Sequence, residues 1–375
     1  MNLILFFTYG VSLRMWDEKG LLDREVSLYQ RLAKEGVKIT FITYGDEEDY
    51  AYRQKIPEID ILPVYALTKK PATKICAFLH SLILPYILKD KLKGADVIKT
   101  NQMSGSWTAV ISKFLYGKKL IVRCGYEWFR FTQKSNPSLF RRGTVFAAEW
   151  LIYRIADRII LTSEGDSDFV SSRFKIKAGR ISVSPNFIDT ELFMPADSDV
   201  KKDRMLFIGR LTRQKNLFSL FDALKSSAWT LDIVGDGELK TELTEYAERN
   251  NVKANFLGRI ANSRLSEVIN QYPLFILPSY YEGNPKVLLE AMSCGRAVIG
   301  TDVEGIREII EDNGNGILCE TDSASIKGAI EKAMQDEDLR DRLGKKARLF
   351  VEENCSIEAA VKRELAILKA VMRDV

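Results

Sequence analysis

Two glutamates, Glu282 and Glu290, flank the predicted start of a helix and are the side chains of this sequence best placed for chemistry. Eight residues of helical rise would hold the two carboxylates at most about 12 Å apart. Two carboxylates that share one glycosidic oxygen and a water lie closer together, at about 5 to 9.5 Å. We therefore interpret Glu282 and Glu290 as two binding groups for an extended ligand. Between them, the backbone N–H groups of residues 284–286 are expected to receive an anion at the positive end of the helix.

A second group of candidates lies at an earlier strand-to-helix turn. Gly209 and Arg210 directly follow a predicted strand, and Lys215 precedes an apolar-periodic helix at residues 217–224. Cations near the positive end of a helix suit a phosphate group. Each of these cations taken alone would be an ordinary surface charge. Together with the two glutamates they predict a site for a phosphate ester.

The elements that must position these groups alternate between strand and helix along the whole chain. In the first half, strands are predicted at residues 2–7, 38–44, 97–100, 119–123, 158–162 and 181–184. In the second half, strands are predicted at residues 204–208, 230–234, 255–257, 274–277 and 297–300. Strand and helix in alternation indicate α/β domains with parallel sheets covered on both faces. Ligands bind beyond the carboxyl ends of such strands, so we expect two doubly wound domains that face each other across a cleft.

The composition is that of a globular protein. With 375 residues the chain is too long for a single hydrophobic core of ordinary size, which indicates two domains. Of these residues, 46% are hydrophobic and 28% are charged. Five scattered cysteines without a C-x-x-C pair predict neither a disulfide framework nor a zinc site. Residues 1–7 are apolar but short, which predicts a buried strand rather than a signal peptide, and residues 75–88 fall short of the roughly 20 residues that span a bilayer. We expect a cytoplasmic protein, peripheral at the inner face of the membrane.

Positive charge is concentrated in one part of the first half. Residues 51–150 hold 17 Lys and Arg against 6 Asp and Glu, although the net charge of the whole chain is only +4. Aromatic residues are mixed with these cations at residues 128–131 and 140–146. The mixture is typical of an anionic membrane interface, and an acidic acceptor or partner and a plain solvated surface are the alternatives. No nucleic-acid motif accompanies the charge, so no nucleic acid is expected as a partner.

The segment around the two glutamates, SYYEGNPKVLLEAMSCG at residues 279–295, resembles the E-x7-E motif of retaining GT-B glycosyltransferases of the glycosyltransferase family 4 type. The usual form of that motif is S-x-x-E-G-x-P-x-x-x-x-E-A-M-A-x-G. Three other segments agree with the family in order and spacing. They are NFIDTELF at residues 186–193, FIGRLTRQK at residues 207–215 and TDVEGIRE at residues 301–308. The resemblance in motifs spans the C-terminal half, and the first half resembles the family in its layout.

The resemblance implies a role for each matching residue. Arg210 and Lys215, beside Gly209, would bind the diphosphate of a nucleotide sugar and stabilise the charge that develops as it leaves. Glu282 would contact the donor sugar, and Glu290 would accept hydrogen bonds from the ribose hydroxyls. The rest of the donor site would consist of Gly283, Asn284, Pro285, Lys286 and Val287, with Arg259 and Ile260 against the base. A simple turn is the alternative for the last two residues. With fixed cations at the diphosphate, neither a metal nor a cofactor is expected.

The first half departs from the family at two places. Many members carry a Gly-Gly pair after the first strand, whereas residues 8–14 contain only Gly10. Many members also carry a histidine after the central strand of the first domain, and its place falls within residues 123–128. There, Glu127 is the candidate base for the acceptor and Arg123 a candidate contact for donor or acceptor. The single histidine of the chain, His80, is expected to be a packed or interfacial residue.

These observations predict a retaining, metal-independent glycosyltransferase that moves a sugar from a nucleoside diphosphate sugar to a hydroxyl of a saccharide or lipid-linked acceptor. Residues 1–190 are predicted to form a Rossmann-like acceptor domain and residues 191–355 a Rossmann-like donor domain. Residues 356–375 are predicted to form a helix that packs back on the first domain. A catalytically degenerate GT-B protein that binds a nucleotide sugar or a partner is the main alternative. An oxidoreductase fits less well because no G-x-G-x-x-G follows the first strand.

Overall fold

The computed structural model describes residues 1–125, 129–130, 132 and 138–373 of the chain. The chain divides into two compact units. The first unit comprises Met1–Pro185 together with Ala360–Val375, and the second unit comprises Asn186–Ala359. Each unit has its own sheet and its own buried core.

The described residues of the first unit form a seven-stranded sheet in which all pairs of neighbouring strands are parallel. Its strands are β1 (Asn2–Phe6), β2 (Lys38–Thr43), β3 (Ile59–Pro63), β4 (Val97–Thr100), β5 (Lys119–Cys124), β6 (Arg158–Leu161) and β7 (Ile181–Val183). Their spatial order is β3-β2-β1-β4-β5-β6-β7. The direction of winding reverses between β1 and β4, which makes that pair the switch point of the sheet.

The helices of the first unit cover this sheet. They are α1 (Leu13–Glu18), α2 (Leu22–Lys34), α3 (Val64–Leu67), α4 (Lys74–Ile87), α5 (Lys89–Lys93), α6 (Ser106–Tyr116), α7 (Leu139–Ile155) and α8 (Glu164–Phe174), and the terminal helix is α16 (Ile357–Arg373). Side-chain caps begin several of them, as where Ser12 accepts a hydrogen bond from the Met15 N–H and Thr73 from the Cys76 N–H. None of the helices in the described ranges has the length and apolar character that a membrane crossing requires.

A buried ion pair joins the terminal helix to the first sheet. Lys99 Nζ on β4 lies 2.5 Å from Glu364 Oε1 on α16, and the two side chains are 0% and 4% exposed. The ammonium also lies 5.4 Å from the ring centroid of Tyr29 on α2. Because a buried charge is costly without a partner, each member of this pair requires the other.

The second unit repeats the same architecture with a six-stranded parallel sheet. Its strands are β8 (Arg204–Ile208), β9 (Thr230–Val234), β10 (Ala254–Gly258), β11 (Leu274–Leu277), β12 (Ala297–Thr301) and β13 (Ile317–Cys319), in the order β10-β9-β8-β11-β12-β13. Its helices are α9 (Leu217–Leu224), α10 (Lys240–Arg249), α11 (Asn262–Asn270), α12 (Lys286–Ser293), α13 (Glu304–Arg307), α14 (Ser323–Gln335) and α15 (Glu337–Asn354). The central strands β11 and β12 are buried at every position, as expected for a sheet covered on both faces.

Two strands of the structure were not predicted from the sequence. They are β3 and β13, which occupy an edge of the first and the second sheet respectively. β13 has only three residues, and β3 alternates buried and more exposed positions and ends at Pro63. Three residues are too few to show a strand pattern, and in β3 the apolar run is interrupted by Asp60 and ends at a proline, which weakens the strand signal.

Candidate functional site

The switch point of the second sheet lies between β8 and β11, which are neighbours in space. Residues 209–216 follow β8, and residues 278–285 follow β11. Both loops leave the carboxyl edge of the sheet at the place where doubly wound folds bind their ligands. The structure therefore brings the candidate residues of these two motifs to one edge of the second unit.

The two loops meet in a hydrogen-bonded cluster of three side chains. Lys215 Nζ lies 2.5 Å from Glu282 Oε1, and Ser279 Oγ donates to the same oxygen at 2.6 Å. The side chains of Lys215 and Glu282 are only 12% and 9% exposed. Because the Glu282 carboxylate is bonded by two donors, its orientation is fixed, and it holds the Lys215 ammonium at the edge of the sheet. The sequence predicted Lys215 and Glu282 for this site but gave no role to the Ser279 hydroxyl.

Hydrogen bonds of Gln214 tie the same two loops together. Its backbone carbonyl accepts from the Tyr280 N–H at 2.9 Å, and its Nε2 donates to the Tyr281 carbonyl at 2.8 Å. Thr301, at the end of β12, donates from Oγ1 to the carbonyl of Ser279 at 2.5 Å. The loop after β11 is thus held by both neighbouring strands, which fixes the backbone that carries Glu282.

Two glycines allow backbones to approach closely at this edge. A Cβ atom on Gly305 would lie 1.9 Å from the carbonyl oxygen of Gly283 and 2.6 Å from that of Glu282. A Cβ atom on Gly235, whose φ is +142°, would lie 1.9 Å from the carbonyl oxygen of Gly209. No other residue type fits either contact. The backbone of Gly305 therefore packs against the loop after β11, and the backbone of Gly235 packs against the loop after β8.

Arg210 is the exposed cation of the site. No hydrogen-bond or ion-pair partner for its guanidinium lies in the part of the chain that the structure describes. The preceding Gly209 is half-buried and donates its N–H to the Val234 carbonyl at 2.9 Å. Arg210 can therefore bind an anionic ligand without first breaking an ion pair, in contrast to Lys215.

Helix α12 begins at Lys286, with Pro285 in the cap position. Proline has no N–H group, so the segment of residues 284–286 offers backbone donors from Asn284 and Lys286 but none from Pro285. The prediction that the N–H groups of residues 284–286 receive an anion is therefore wrong for Pro285, and for Asn284 and Lys286 it remains a prediction. The helix is eight residues long, and its positive end still faces the loop that carries Glu282 and Gly283.

The first residues of the second unit, Asn186 and Phe187, contact the residues around the start of α12. Asn284 Oδ1 accepts from the Asn186 N–H at 2.9 Å, and the Asn284 carbonyl accepts from Asn186 Nδ2 at 2.7 Å. The Lys286 ammonium lies 5.5 Å from the ring centroid of Phe187. Val287 is half-buried and packs against the core of the second unit. The motif at residues 186–193 therefore has a structural function in addition to its position between the two halves of the sequence.

Glu290 lies at the fifth residue of α12 and is 2% exposed. Asn262 Nδ2, at the start of α11, donates to Glu290 Oε1 at 3.0 Å. A buried carboxylate needs such donors, and this one fixes the direction of the oxygen. The sequence analysis missed Asn262, because a single asparagine at the start of a helix usually caps its own backbone.

Arg259 and Ile260 follow β10 in the second unit. The Arg259 side chain is 81% exposed and pairs with Asp236 at 3.6 Å, whereas Ile260 is half-buried and packs against the core. Such an exposed ion pair contributes little to stability. Their predicted contact with a base remains a prediction.

The candidates of the first half, Gly10 and Arg123, belong to the first unit, and Glu127 lies outside the described residues. Gly10 is exposed and has a φ of +75°, in the left-handed region that favours glycine. Arg123 is half-buried on β5 and donates its N–H to Thr100 Oγ1 at 3.2 Å. The ligand roles of these three residues remain predictions.

A cavity of about 370 Å³ lies in the first unit beyond the carboxyl ends of β1 and β2. Three tyrosines line it, Tyr9 and Tyr44 from the loops after β1 and β2 and Tyr65 from α3, and the rings of Tyr9 and Tyr44 meet edge to face at 5.2 Å. Burial raises the pKa of Tyr44 to about 12, so its hydroxyl is protonated at neutral pH. Five charged residues also line the cavity, Arg14, Glu18, Asp46, Asp49 and Lys70. This mixture of rings and polar groups can bind a polar ring such as that of a sugar. Sequence analysis missed this cavity because its tyrosines belong to no common motif.

His80 lies beside that aromatic group and not at the end of a central strand. Its ring stacks on Tyr65 with centroids 6.0 Å apart, and burial lowers its pKa. This lowering favours the neutral form of the imidazole. Among the described residues, no group of three or more His, Cys, Asp and Glu side chains is arranged to hold a metal ion.

Two family models match the chain. The model Glycosyltransferase Family 4 matches residues 26–192, and the model Glycosyl transferases group 1 matches residues 189–350. The two matches follow each other along the chain and include the motifs at residues 207–215, 279–295 and 301–308.

Relatives of known sequence and structure agree with these matches. An uncharacterized glycosyltransferase of Methanocaldococcus jannaschii is 31% identical over 147 residues, 39% of this chain and 42% of that protein. The Escherichia coli UDP-Gal:alpha-D-GlcNAc-diphosphoundecaprenol alpha-1,3-galactosyltransferase is 27% identical over 283 residues, 69% of this chain and 71% of that protein. The solved structure of Anabaena HepE in complex with UDP covers 99% of this chain and 100% of its own, with a TM-score of 0.77 and 18% identity. At that identity the likeness establishes the fold, which is GT-B.

Proposed function

The chain is a glycosyltransferase that belongs to the family 4 type of the GT-B fold, and we propose that it transfers one sugar from a nucleoside diphosphate sugar to a hydroxyl group of a saccharide or lipid-linked acceptor. The observation that carries this proposal is the cluster of Lys215, Glu282 and Ser279 at the switch point of the second sheet. In this cluster the Lys215 ammonium and the Glu282 carboxylate lie side by side at the carboxyl edge of the sheet. The ammonium can bind a diphosphate, and the carboxylate can accept hydrogen bonds from the hydroxyls of a sugar.

In the proposed reaction, the bond between the anomeric carbon and the diphosphate oxygen breaks, and the diphosphate leaves with the electron pair. Arg210 and Lys215 stabilise the negative charge that develops on it. The acceptor oxygen then bonds to the same face of the anomeric carbon and passes its proton to the departing diphosphate oxygen, so that the anomeric configuration is retained. Lys215 is held near the leaving group by Glu282, so its ammonium must be shared between that carboxylate and the diphosphate, whereas Arg210 can turn to the diphosphate without breaking an ion pair.

The two cations also support metal independence. Arg210 and Lys215 supply positive charge where a divalent cation would otherwise neutralise the diphosphate. Neither a metal nor a cofactor is part of the proposed reaction. Removal of divalent cations with a chelator is therefore expected to leave the transfer rate unchanged.

For the donor, we propose that Glu290 accepts hydrogen bonds from the ribose hydroxyls while Asn262 keeps its carboxylate in place. The similarity to a galactosyltransferase whose name specifies UDP-Gal, and to a structure that holds UDP, makes a uridine diphosphate sugar the first candidate. In this proposal the second unit binds the donor.

For the acceptor, we propose a saccharide carried on a lipid diphosphate. The name of the similar Escherichia coli enzyme specifies a saccharide linked to diphosphoundecaprenol. Such an acceptor would bring this protein to the inner face of a membrane. In the first unit, the cavity lined by Tyr9, Tyr44 and Tyr65 is the proposed place for the acceptor sugar because tyrosine rings can stack on it.

A thermal-shift panel with UDP, GDP, ADP and their sugars tests the donor site. Arg210→Ala and Glu290→Ala are the test variants, and Arg249→Ala on α10 is the matched control because its side chain is also exposed, at 68%. A nucleotide at 100 times its dissociation constant stabilises the protein by about 2.7 kcal/mol. We expect one nucleotide to raise the melting temperature of the wild type and of Arg249→Ala but of neither test variant.

Transfer and donor hydrolysis then separate an enzyme from a binding protein. Two results would support the proposed reaction. The first is slow release of free sugar from the selected donor, and the second is an NMR spectrum in which the new linkage of the product has the same anomeric configuration as the donor. Selective binding without release or transfer would instead support the degenerate alternative. No thermal shift with any nucleotide at millimolar concentration would contradict the proposal.

A further inference from the structure

Helix α4 presents an apolar face to the solvent. Ile75, Phe78, Leu79, Ile83 and Tyr86 are exposed by 74%, 44%, 55%, 50% and 60% of their surface. Residues 75, 79, 83 and 86 recur at helical spacing, so their side chains form one continuous stripe. From residue 75 to residue 87 the helix contains no charged residue. An exposed helix of a globular protein normally carries polar residues on such a face, and their absence over three turns indicates a binding surface.

The opposite face of α4 is firmly anchored. Trp107 Nε1 on α6 donates to Ser81 Oγ at 2.9 Å, and the Tyr116 hydroxyl donates to the Pro85 carbonyl at 2.9 Å. Leu84 between them is completely buried. The helix therefore cannot turn its apolar stripe inward without breaking these contacts, and the exposed stripe is a fixed feature of the first unit.

Lysines surround this stripe at both ends of the helix. The segment from residue 69 to residue 93 contains six lysines and a single acidic residue, Asp90. All six are exposed, and Lys91 forms an ion pair with Asp60 at 3.0 Å. The other five are Lys69, Lys70, Lys74, Lys89 and Lys93. A partner for this surface must accept both apolar side chains and positive charge.

We propose that the α4 surface, which consists of the exposed stripe and these five lysines, docks on an anionic lipid bilayer. A helix with this composition lies in the membrane plane, with its apolar face about 5 to 10 Å deep and its cations at the lipid headgroups. Exposed Tyr86 is of the type enriched at that depth. A second copy of the chain is a poorer partner, because a symmetric contact would bring two sets of lysines together.

Vesicle binding by the full chain tests this proposal without donor or acceptor, so its failure would be distinct from failure of the proposed transfer reaction. Cys76 on α4 is exposed and the other four cysteines are buried, which allows a polarity-sensitive fluorophore to be attached at Cys76. We expect its emission to shift to the blue with vesicles of phosphatidylcholine and phosphatidylglycerol at a ratio of 3 to 1. We expect a much smaller shift with pure phosphatidylcholine, and a loss of binding between 0.1 M and 1 M salt.

Two sets of variants separate the apolar and the electrostatic contributions in a sedimentation assay with the same vesicles. Ile75→Gln/Leu79→Gln/Ile83→Gln is expected to weaken partitioning by at least about 100-fold. Lys74→Gln/Lys89→Gln is expected to weaken it by about fivefold per lysine on anionic vesicles only.

The matched control removes three exposed apolar side chains from the second unit. Leu192→Gln/Met194→Gln/Leu349→Gln, at positions 41%, 50% and 55% exposed, is expected to bind vesicles as the wild type does. Equal binding by the wild type and the α4 triple variant would overturn the proposal. So would a concentration-dependent dimer in sedimentation that the triple variant abolishes while vesicle binding is absent, because a second copy would then be the partner.

Discussion

Replacement of Gly305 by alanine is expected to disturb the proposed donor site from its far side. Gly305 lies at the start of α13, after β12, and has no predicted contact with a ligand. A Cβ atom there would be 1.9 Å from the Gly283 carbonyl oxygen and 2.6 Å from the Glu282 carbonyl oxygen. Real Cβ atoms essentially never approach closer than 3.0 Å, so the loop that carries Glu282 must move by about 1 Å. Neither contact is with a flexible side chain that could turn aside.

The size of the effect follows from the contacts of Glu282. The same movement stretches its bonds to Lys215 Nζ and Ser279 Oγ, which are now 2.5 and 2.6 Å long. A displacement of about 1 Å at a catalytic group can lower a rate by about 100-fold, which corresponds to about 2.7 kcal/mol. We therefore expect kcat/KM of Gly305→Ala to fall about 100-fold. Overpacking should also lower the free energy of unfolding by about 1 to 3 kcal/mol.

The assay is steady-state transfer, or donor hydrolysis where no acceptor is at hand, together with thermal unfolding and circular dichroism. Gly328→Ala is the matched control, because a Cβ atom at Gly328 meets nothing within 4 Å and the residue lies inside α14. Alanine there should raise stability by up to about 1 kcal/mol and leave activity unchanged. A folded Gly305→Ala protein with wild-type kcat/KM would refute the argument that this backbone contact positions Glu282.

Two further predictions concern stability. Glu364→Gln should lower the free energy of unfolding by about 3 to 5 kcal/mol in urea titration, because it leaves the buried Lys99 ammonium without its counter-charge. The double variant Lys99→Met/Glu364→Gln should recover much of that loss, and a double variant as unstable as the single one would contradict this reasoning. Burial raises the pKa of the Cys294 thiol from 9.0 to about 11, so the folded state retains a proton that the unfolded chain releases. The free energy of unfolding should therefore fall with rising pH between about 9 and 11, by about 1.4 kcal/mol per pH unit for this thiol. In the Cys294→Ala variant the free energy of unfolding should fall less steeply over the same pH range.

The sequence predicted the central strands and the donor motifs because both are local signals. β11 is four consecutive apolar residues buried on both faces, and the loop after it contains Glu282 within the same short segment. Lys215 and Glu282 come from different motifs, but each motif follows a strand, and parallel strands bring their carboxyl ends to one edge. Strands β3 and β13 were not predicted because β13 has only three residues and β3 contains Asp60 and ends at Pro63.

Other parts of the candidate site depend on contacts that no single segment encodes. Asn262 supports Glu290 from a different helix, and nothing in its own neighbours distinguishes it from an ordinary helix-start residue. Gly305 belongs to a sequence motif, but glycine is required there because the Gly283 backbone leaves no room for a Cβ atom, and the two residues are neighbours only in the folded chain. The roles of Asn262 and Gly305 can therefore be recognised only when their tertiary contacts are known.

The same distinction explains why the proposed donor site could be predicted better than the proposed acceptor cavity. A diphosphate is bound by charges and helix starts, which occur in short segments with fixed spacing. A sugar ring is bound by aromatic surfaces, and Tyr9, Tyr44 and Tyr65 are each unremarkable where they stand in the sequence. These three residues follow β1, β2 and β3, so only the parallel sheet makes them neighbours. If the cavity and the donor site act as proposed, single aromatic substitutions at these separate positions should change the acceptor, whereas a substitution that disrupts the Lys215 and Glu282 pair should abolish transfer from the donor.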